Sequence, residues 1–561
     1  MTKPKRETRP DAGQEVFHVG KVERTITQTM DLRFFRWGLT IFVLLATSVP
    51  YVLNWLATPP NFHYTWILPP YPEDSYGYLS WLQQAAHGNL LFQIKYTGLS
   101  HSAFLFHPFF LICGWLSALF QCDGGVVLWM AKSVGVVLFF VTFFKYSDFL
   151  GLNRLESVVA SLLIGVSSGL GGLFVFLSGG EPLPIVSADL WMPEMSTFWS
   201  LLWNALFPYS LTLTLLTIYW LDRGTRSGRK SDFWLSGLST GILALIHPYS
   251  QVLLYFFAGT IIFLRRGTEA WSCLCRYFLA AFPFALYLIL IVVLEPLVSK
   301  HSSQGRMPSP LPLEYLLGFG IPLLLCVAGL LAGRLQLVKR YWQIILWFLL
   351  CLIFAYLPVW YQRKFILGAH IPLCILAGIS VNWILTLWVR RSMHRWVLIT
   401  AAVILLPLII STPIYLLISQ NREVKANADH RAYYLSDDTL AALKFLKEKT
   451  KPDEIVFASM ETSRLIPAYS GNTVVWGHWA MSIDVEDRIA WFQRLFQDPS
   501  NWNDPKRADE FWGTGIKYIL ADGPVTQHLK QDPPEWKVIL KKADVAFTNG
   551  SVIIYRYRAN N

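Results

Sequence analysis

The sequence predicts a polytopic α-helical membrane protein with about eleven transmembrane helices, followed by a separate α/β domain at its carboxyl end. Three observations predict it. Of 561 residues, 53% are hydrophobic and 15% charged, with a mean hydropathy of +0.39, whereas soluble domains carry roughly 25% charge. The hydrophobic residues fall in runs of about 18 to 24 with almost no ionisable group, the length that crosses a bilayer as helix. After residue 418 the pattern changes to short apolar runs alternating with amphipathic stretches. A soluble enzyme, a disordered scaffold and a secreted disulfide module are all excluded.

The elements follow in order. Residues 1–35 form a basic cytoplasmic tail (Lys3, Lys5, Arg6, Arg9, Lys21, Arg24, Arg33) with no short apolar core ahead of a cleavage site, so no cleavable signal peptide is expected. Residues 36–56 read as a signal anchor. Further spans read at about 126–144, 157–177, 203–221, 274–294, 313–333, 342–360, 365–389 and 396–418. The stretch 233–264 is too long for one crossing and has His247-Pro248-Tyr249 at its middle, so it reads as two short helices turning at the proline.

Charge sets the expected sidedness. Net charge is +11, yet residues 419–561 hold 19 basic and 19 acidic residues, so the whole excess lies before 419. There it clusters in short loops at 223–230, Arg265-Arg266, Lys339-Arg340 and Arg390-Arg391, as the positive-inside bias requires, and the high pI needs no nucleic-acid partner. All these loops are cytoplasmic if the apolar segment 102–121 is a half-buried helix on the outer face and not a crossing. The chain then sits in the plasma (inner) membrane with its amino terminus in. Loops 57–125, 178–202 and 295–312 and the domain 419–561 lie outside, where long ordered loops commonly carry function. That domain is expected to build helices at Asp438–Lys449 and Val485–Phe496 and strands at Ile455–Ala458, Lys517–Leu520 and Val552–Arg556. The seven cysteines all precede residue 419, and Cys273 and Cys275 form CxC, read as small apolar residues and not a metal site. No Walker, GxGxxG or HExxH pattern and no CxxC pair is present, which argues against ATP-driven transport by this chain alone.

The candidate chemistry begins at Glu73-Asp74-Ser-Tyr76-Gly-Tyr78-Leu-Ser-Trp81, ending at His87-Gly88. Pro72 ends an extended stretch and 75–87 has the spacing of a short amphipathic helix. On one reading Asp74 caps that helix and Glu73 is solvated. On the other, a carboxylate walled by Tyr76, Tyr78 and Trp81 removes a proton from a hydroxyl. These aromatics suit sugar rings and interfacial belts alike.

A signal anchor followed at once by a long outer loop, with Glu-Asp-Ser-Tyr-Gly-Tyr-Leu and a downstream His-Gly, resembles the GT-C superfamily of polytopic glycosyltransferases that use lipid-linked sugars. The resemblance covers residues 36–418 and extends to acids in the second loop (Glu181, Asp189, Glu194), to Tyr361-Gln362-Arg363-Lys364 at an outer helix mouth and to the terminal α/β domain. It implies a glycosyltransferase moving a hexosyl or pentosyl group from a polyprenyl-phosphate donor to an acceptor glycan, lipid or protein, with inversion. Asp74 or Glu73 would be the base, favouring Asp74 because Tyr76 and Tyr78 follow it at family-like spacing; family members often show Asp-Glu here, the reverse order. Tyr76, Tyr78, Asp189, His247, Arg363 and Lys364 would bind substrate. No cofactor is certain, and a divalent metal is possible at a second-loop acid, where Asp189 ranks first; with Pro182, Pro184 and Pro193 interspersed, the same acids read equally as an ordinary solvated loop. Arg363 and Lys364 lie outside against the charge bias, suiting a phosphate or snorkelling to anionic lipid. His247, His101 and His107 also read as packing residues, and Trp476-Gly477-His478-Trp479 reads first as core packing and second as covering the active site or touching the acceptor. The alternative function is a transporter or flippase of a lipid-linked saccharide, which should show midplane acids or related halves; the spans here are nearly free of acids and no repeat is found.

Overall fold

A computed structural model describes residues 31–181, 184–390, 395–427, 432–499 and 502–558. The expectations placed on the tail up to residue 30, on Pro182 and on Arg391 lie outside them. Among the described residues, seven stretches are long and apolar enough to cross a membrane, or eight if the bent pair Arg154–Val166 and Gly171–Leu177 is one span. The chain is therefore a multi-pass membrane protein, on fewer such stretches than the eleven crossings expected.

The differences have local causes. Phe207–Ser227 and Lys230–Ile246 form helices that do not count as spans: the first is rich in threonine and ends in charge, and the second has 17 residues. The expected turn at Lys339-Arg340 is absent, because Pro312–Phe354 is one helical run of 43 residues with apolar halves Pro312–Leu331 and Gln336–Phe354. Leu, Gln, Lys and Arg near its centre are all good helix formers. The break at Pro248 forms as expected, separating Lys230–Ile246 from Pro248–Arg266.

Basic loops collect at one end of the bundle. Asp222, almost fully buried, accepts from Arg226, from Gln343 Nε2 at 2.5 Å and from Arg265. Arg36 bonds Asp148 at 2.8 Å in the same manner, and Arg223 forks onto Asp232. One buried carboxylate thus gathers three helices, a charge-assisted arrangement that costs little only because every oxygen is paired.

At the opposite end lie two helices from the first loop, Pro72–Ala86 and Pro108–Phe120. The latter is apolar but only 13 residues long, too short to span. It packs directly on the former, where a Cβ on Gly114 would meet Ala85 Cβ and lie 2.6 Å from the Leu82 carbonyl oxygen. Gly114→Ala should therefore force the two helices apart at a cost of about 1–3 kcal/mol, measured as a lower midpoint in thermal unfolding of the detergent-purified chain. An unchanged midpoint would mean that the pair separates freely.

Strand β1 (Phe62–Tyr64) pairs antiparallel with β2 (Tyr434–Ser436), tying the first loop to the segment after the last membrane helix. The remaining strands β3 (Ile455–Phe457), β4 (Thr473–Val474), β5 (Ile516–Asp522), β6 (Ala543–Asn549) and β7 (Val552–Tyr557) form one mixed sheet in the order β4-β3-β5-β7-β6. Helices Asp437–Lys449 and Val485–Phe496 form as the sequence predicts. Phe457, Trp476, Phe496, Phe511 and Trp536 fill the space between sheet and helices.

Candidate functional site

The site is built where that domain meets the first loop. Pro72 at the first turn fixes the start of the Pro72–Ala86 helix, and Glu73 and Asp74 occupy its first turn, where the helix dipole favours negative charge. The cap residue is Tyr71, so Asp74 is not the N-cap. Its side chain is 25% exposed and accepts from Trp479 Nε1 at 2.9 Å, with His478 Nε2 3.9 Å from the same oxygen. Burial pushes the Asp74 carboxyl up, against the pull of the Trp479 hydrogen bond and the Lys364 charge; Glu73 and Glu194 add to the rise. Glu73 is held differently, by Arg464 Nη1 at 2.9 Å. The two adjacent acids therefore separate in their contacts: Glu73 is tied into an ion pair with Arg464, while Asp74, its pKa raised, is held by a neutral indole N–H through one oxygen.

Tyr76 and Tyr78 point to different places, since two residues on a helix differ by about 200°. Tyr76 is fully buried and donates to the Ala432 carbonyl at 2.8 Å, another tie to the carboxyl-terminal domain. Tyr78 lies one turn after Asp74 on the same side, and its hydroxyl accepts from Asn204 Nδ2 at 3.1 Å. Its charged neighbours are Asp74 and Glu194.

The second loop contributes through Glu194. The turn Pro193–Met195 points this carboxylate inward, fully buried, onto the ammonium of Lys364. Burial works to raise it, but Lys364 and Arg363 outweigh burial and hold it down at about 2. Asp189, ranked ahead of it in the sequence, instead lies in the core, accepting from Ser187 and from Ser168 Oγ at 3.3 Å. A Cβ on Gly171 would lie 2.6 Å from Asp189 Oδ1, so Asp189 sits against the break between Arg154–Val166 and Gly171–Leu177. Glu181 is exposed.

Arg363 and Lys364 lie in the 3₁₀ turn Gln362–Ile366 ahead of the helix His370–Arg390. Arg363 lies over the Trp191 ring at 5.5 Å and beside Tyr71. Tyr71 itself donates to the Trp191 carbonyl at 3.1 Å. His247, at the turn between Lys230–Ile246 and Pro248–Arg266, bonds Ser250 through Nδ1 at 2.9 Å and faces Lys364 and Glu194. Tyr249 meets Trp360 edge-on and Tyr361 at a tilt, and lies within the field of Asp74. Asp74, Tyr78, His247, Arg363 and Lys364 are thus brought together, and Tyr76 and Asp189 are engaged elsewhere.

Three buried polar atoms of the cluster, Arg363 Nε, His247 Nε2 and Glu194 Oε2, have no hydrogen-bond partner among the described residues. Buried groups of this kind call for a ligand or water. Among the described residues no group of three His, Cys, Asp or Glu side chains gathers as a metal site. His101 bonds the backbone N–H of Ile94 at 3.0 Å, and His107 packs on Phe110; both serve the first loop's own packing. Sequence reasoning named Glu194 without ranking it, and missed Arg464, Tyr71 and Tyr249.

No protein-family model matches the chain, and no curated protein matches it in sequence. Solved structures do match. The oligosaccharyltransferase of Archaeoglobus fulgidus tethered to an acceptor peptide containing the NVT sequon aligns with 94% of this chain and 74% of its own, at 11% identity and TM-score 0.52. The AglB oligosaccharyltransferase from Archaeoglobus fulgidus, in complex with an inhibitory peptide and a dolichol-phosphate, aligns with 90% of this chain and 71% of its own, at 12% identity and TM-score 0.50. ArnT from Cupriavidus metallidurans in the apo state covers 92% and 98%, at 13% identity and TM-score 0.47. The likeness is one of fold.

Proposed function

We infer that this chain, which has the GT-C fold, is a membrane glycosyltransferase acting at the extracytoplasmic face with a sugar carried on a polyprenyl phosphate. The observation that carries this reading is the pairing of one carboxylate, Asp74, with the half-buried Arg363 and Lys364 and the buried His247, where Arg363 Nε and His247 Nε2 have no partner among the described residues. The acceptor oxygen attacks the anomeric carbon on the face opposite the phosphate. As that bond forms, the hydroxyl proton passes to Asp74. The anomeric C–O bond breaks with its electron pair staying on the polyprenyl phosphate, which Arg363 and Lys364 hold. Configuration inverts. The archaeal enzyme's complex with dolichol-phosphate supports a lipid-phosphate donor.

The test is reconstitution of the full chain in liposomes with a radiolabelled polyprenyl-phosphate sugar. Label moving to an acceptor supports transfer. Label that only changes leaflet, still on its lipid, supports the flippase alternative instead. Arg363→Gln with Lys364→Gln should weaken donor binding, and unchanged donor affinity would leave both as lipid anchors.

The pH dependence has a defined sign. A base works only when ionised, so activity falls as pH drops through the Asp74 pKa. Because burial raises that pKa, the acid limb of kcat/KM should lie above the ordinary aspartate value of about 3.9. A limb at or below that value would assign the base elsewhere.

A further inference from the structure

Trp479 touches the proposed base from the carboxyl-terminal domain, through its indole N–H. It follows Gly477, whose φ of +136 lets the chain turn sharply. A Cβ there would lie 2.9 Å from the Arg464 nitrogen, so no other residue fits. The turn sends Trp476 and Trp479 opposite ways. Trp476 is buried and donates to the Ala458 carbonyl at 2.9 Å, whereas Trp479 reaches Asp74 and remains 48% exposed.

His478 holds the arrangement. Its Nδ1 accepts from the backbone N–H of Ala480 at 3.1 Å and of Met481 at 3.2 Å, which fixes the neutral ring with hydrogen on Nε2. That nitrogen faces Asp74 Oδ1, and the ring backs Trp479 with centroids 6.1 Å apart at 22°. The contact runs through Gly77, where a Cβ would lie 3.3 Å from His478 Nε2. The Trp479 N–H therefore bonds Oδ1, with His478 Nε2 beyond hydrogen-bond distance at 3.9 Å, and Oδ2 is left to meet an acceptor hydroxyl.

Resting on the glycosyltransferase reading, we propose that Trp479 is the acceptor platform: its indole N–H fixes Asp74 Oδ1, and its open ring face takes the C–H face of a saccharide acceptor. The acceptor is then a sugar hydroxyl, which loses its proton to Asp74 Oδ2. The flat, apolar and half-exposed ring beside a carboxylate matches a pyranose, which offers an apolar face and hydroxyls at its edge. A peptide would need backbone partners that the ring does not supply.

The experiment uses the full chain in nanodiscs and saturation-transfer NMR, with lactose as the saccharide probe and a neutral hexapeptide as control. Wild type and Trp479→Phe should bind the saccharide within about threefold of each other. Trp479→Ala should bind it about three- to tenfold more weakly. Trp479→Phe also removes the bond that lowers the Asp74 pKa, so its acid limb should move to higher pH. Saccharide binding by Trp479→Ala equal to wild type, or binding of the peptide alone, would overturn the proposal and leave Trp479 an interfacial aromatic. The two readings fail separately. An active Asp74→Asn variant removes the glycosyltransferase mechanism whatever binds Trp479. An inactive one alongside undiminished binding by Trp479→Ala removes only the acceptor assignment.

Discussion

Asp74→Asn is expected to lower sugar transfer by about 10²–10⁴-fold, the contribution of a positioned base, with folding and membrane insertion retained. The amide oxygen still accepts from Trp479, and the shape is unchanged. Stability should not fall either. The folded-state pKa of Asp74 is raised by burial, so the ionised carboxylate is a burden to the fold above that pKa, and protonation relieves it as pH drops. Removing the charge at neutral pH removes the burden. Transfer activity and thermal unfolding measured on one preparation separate the two effects. Wild-type turnover, or a variant that fails to insert, would contradict the assignment.

The second large effect is at the buried ion pair. Lys364→Met leaves Glu194 buried without its cation, and loss of one member of such a pair costs about 3–5 kcal/mol. The sign follows from the pKa. Glu194 is held at about 2, below its ordinary value, so its contribution is complete above the unfolded carboxyl pKa and is lost as pH falls toward 2. At pH 7 the full contribution is at stake. The double variant Lys364→Met with Glu194→Gln restores stability, since no uncompensated charge remains, but it should not restore donor binding. Unfolding midpoints and donor affinity for the single and double variants give the answer. Recovery of donor affinity in the double variant would show that Lys364 serves the fold alone.

The broad architecture is legible in the sequence because hydrophobic run length and charge placement act locally. Arg363 and Lys364 stand out for a related reason: two cations at the end opposite the basic loops need an anion. What escapes is set by direction and distance. Tyr76 and Tyr78 look equivalent in a string, but helical period sends one to Ala432 and the other to the site. Asp189 and Glu194 lie five residues apart in one loop. Their fates are decided by the turns around Trp191 and Pro193, which give one to serines and the other to Lys364. Trp479 meets Asp74 across 405 positions of sequence, and no periodic pattern records such a pairing. Reading Trp476-Gly477-His478-Trp479 as core packing holds for its first tryptophan, and the positive φ of Gly477 is what frees the last.

In the mechanism we propose, Arg363 and Lys364 hold a lipid phosphate within reach of Asp74. Cryo-electron microscopy of the full chain in nanodiscs with decaprenyl phosphate tests it directly. The account predicts phosphate density within hydrogen-bond distance of Arg363 and Lys364, beside His247, with the prenyl tail running into the bilayer. Phosphate density seated away from these side chains, with Glu194 still closed on Lys364, would contradict it.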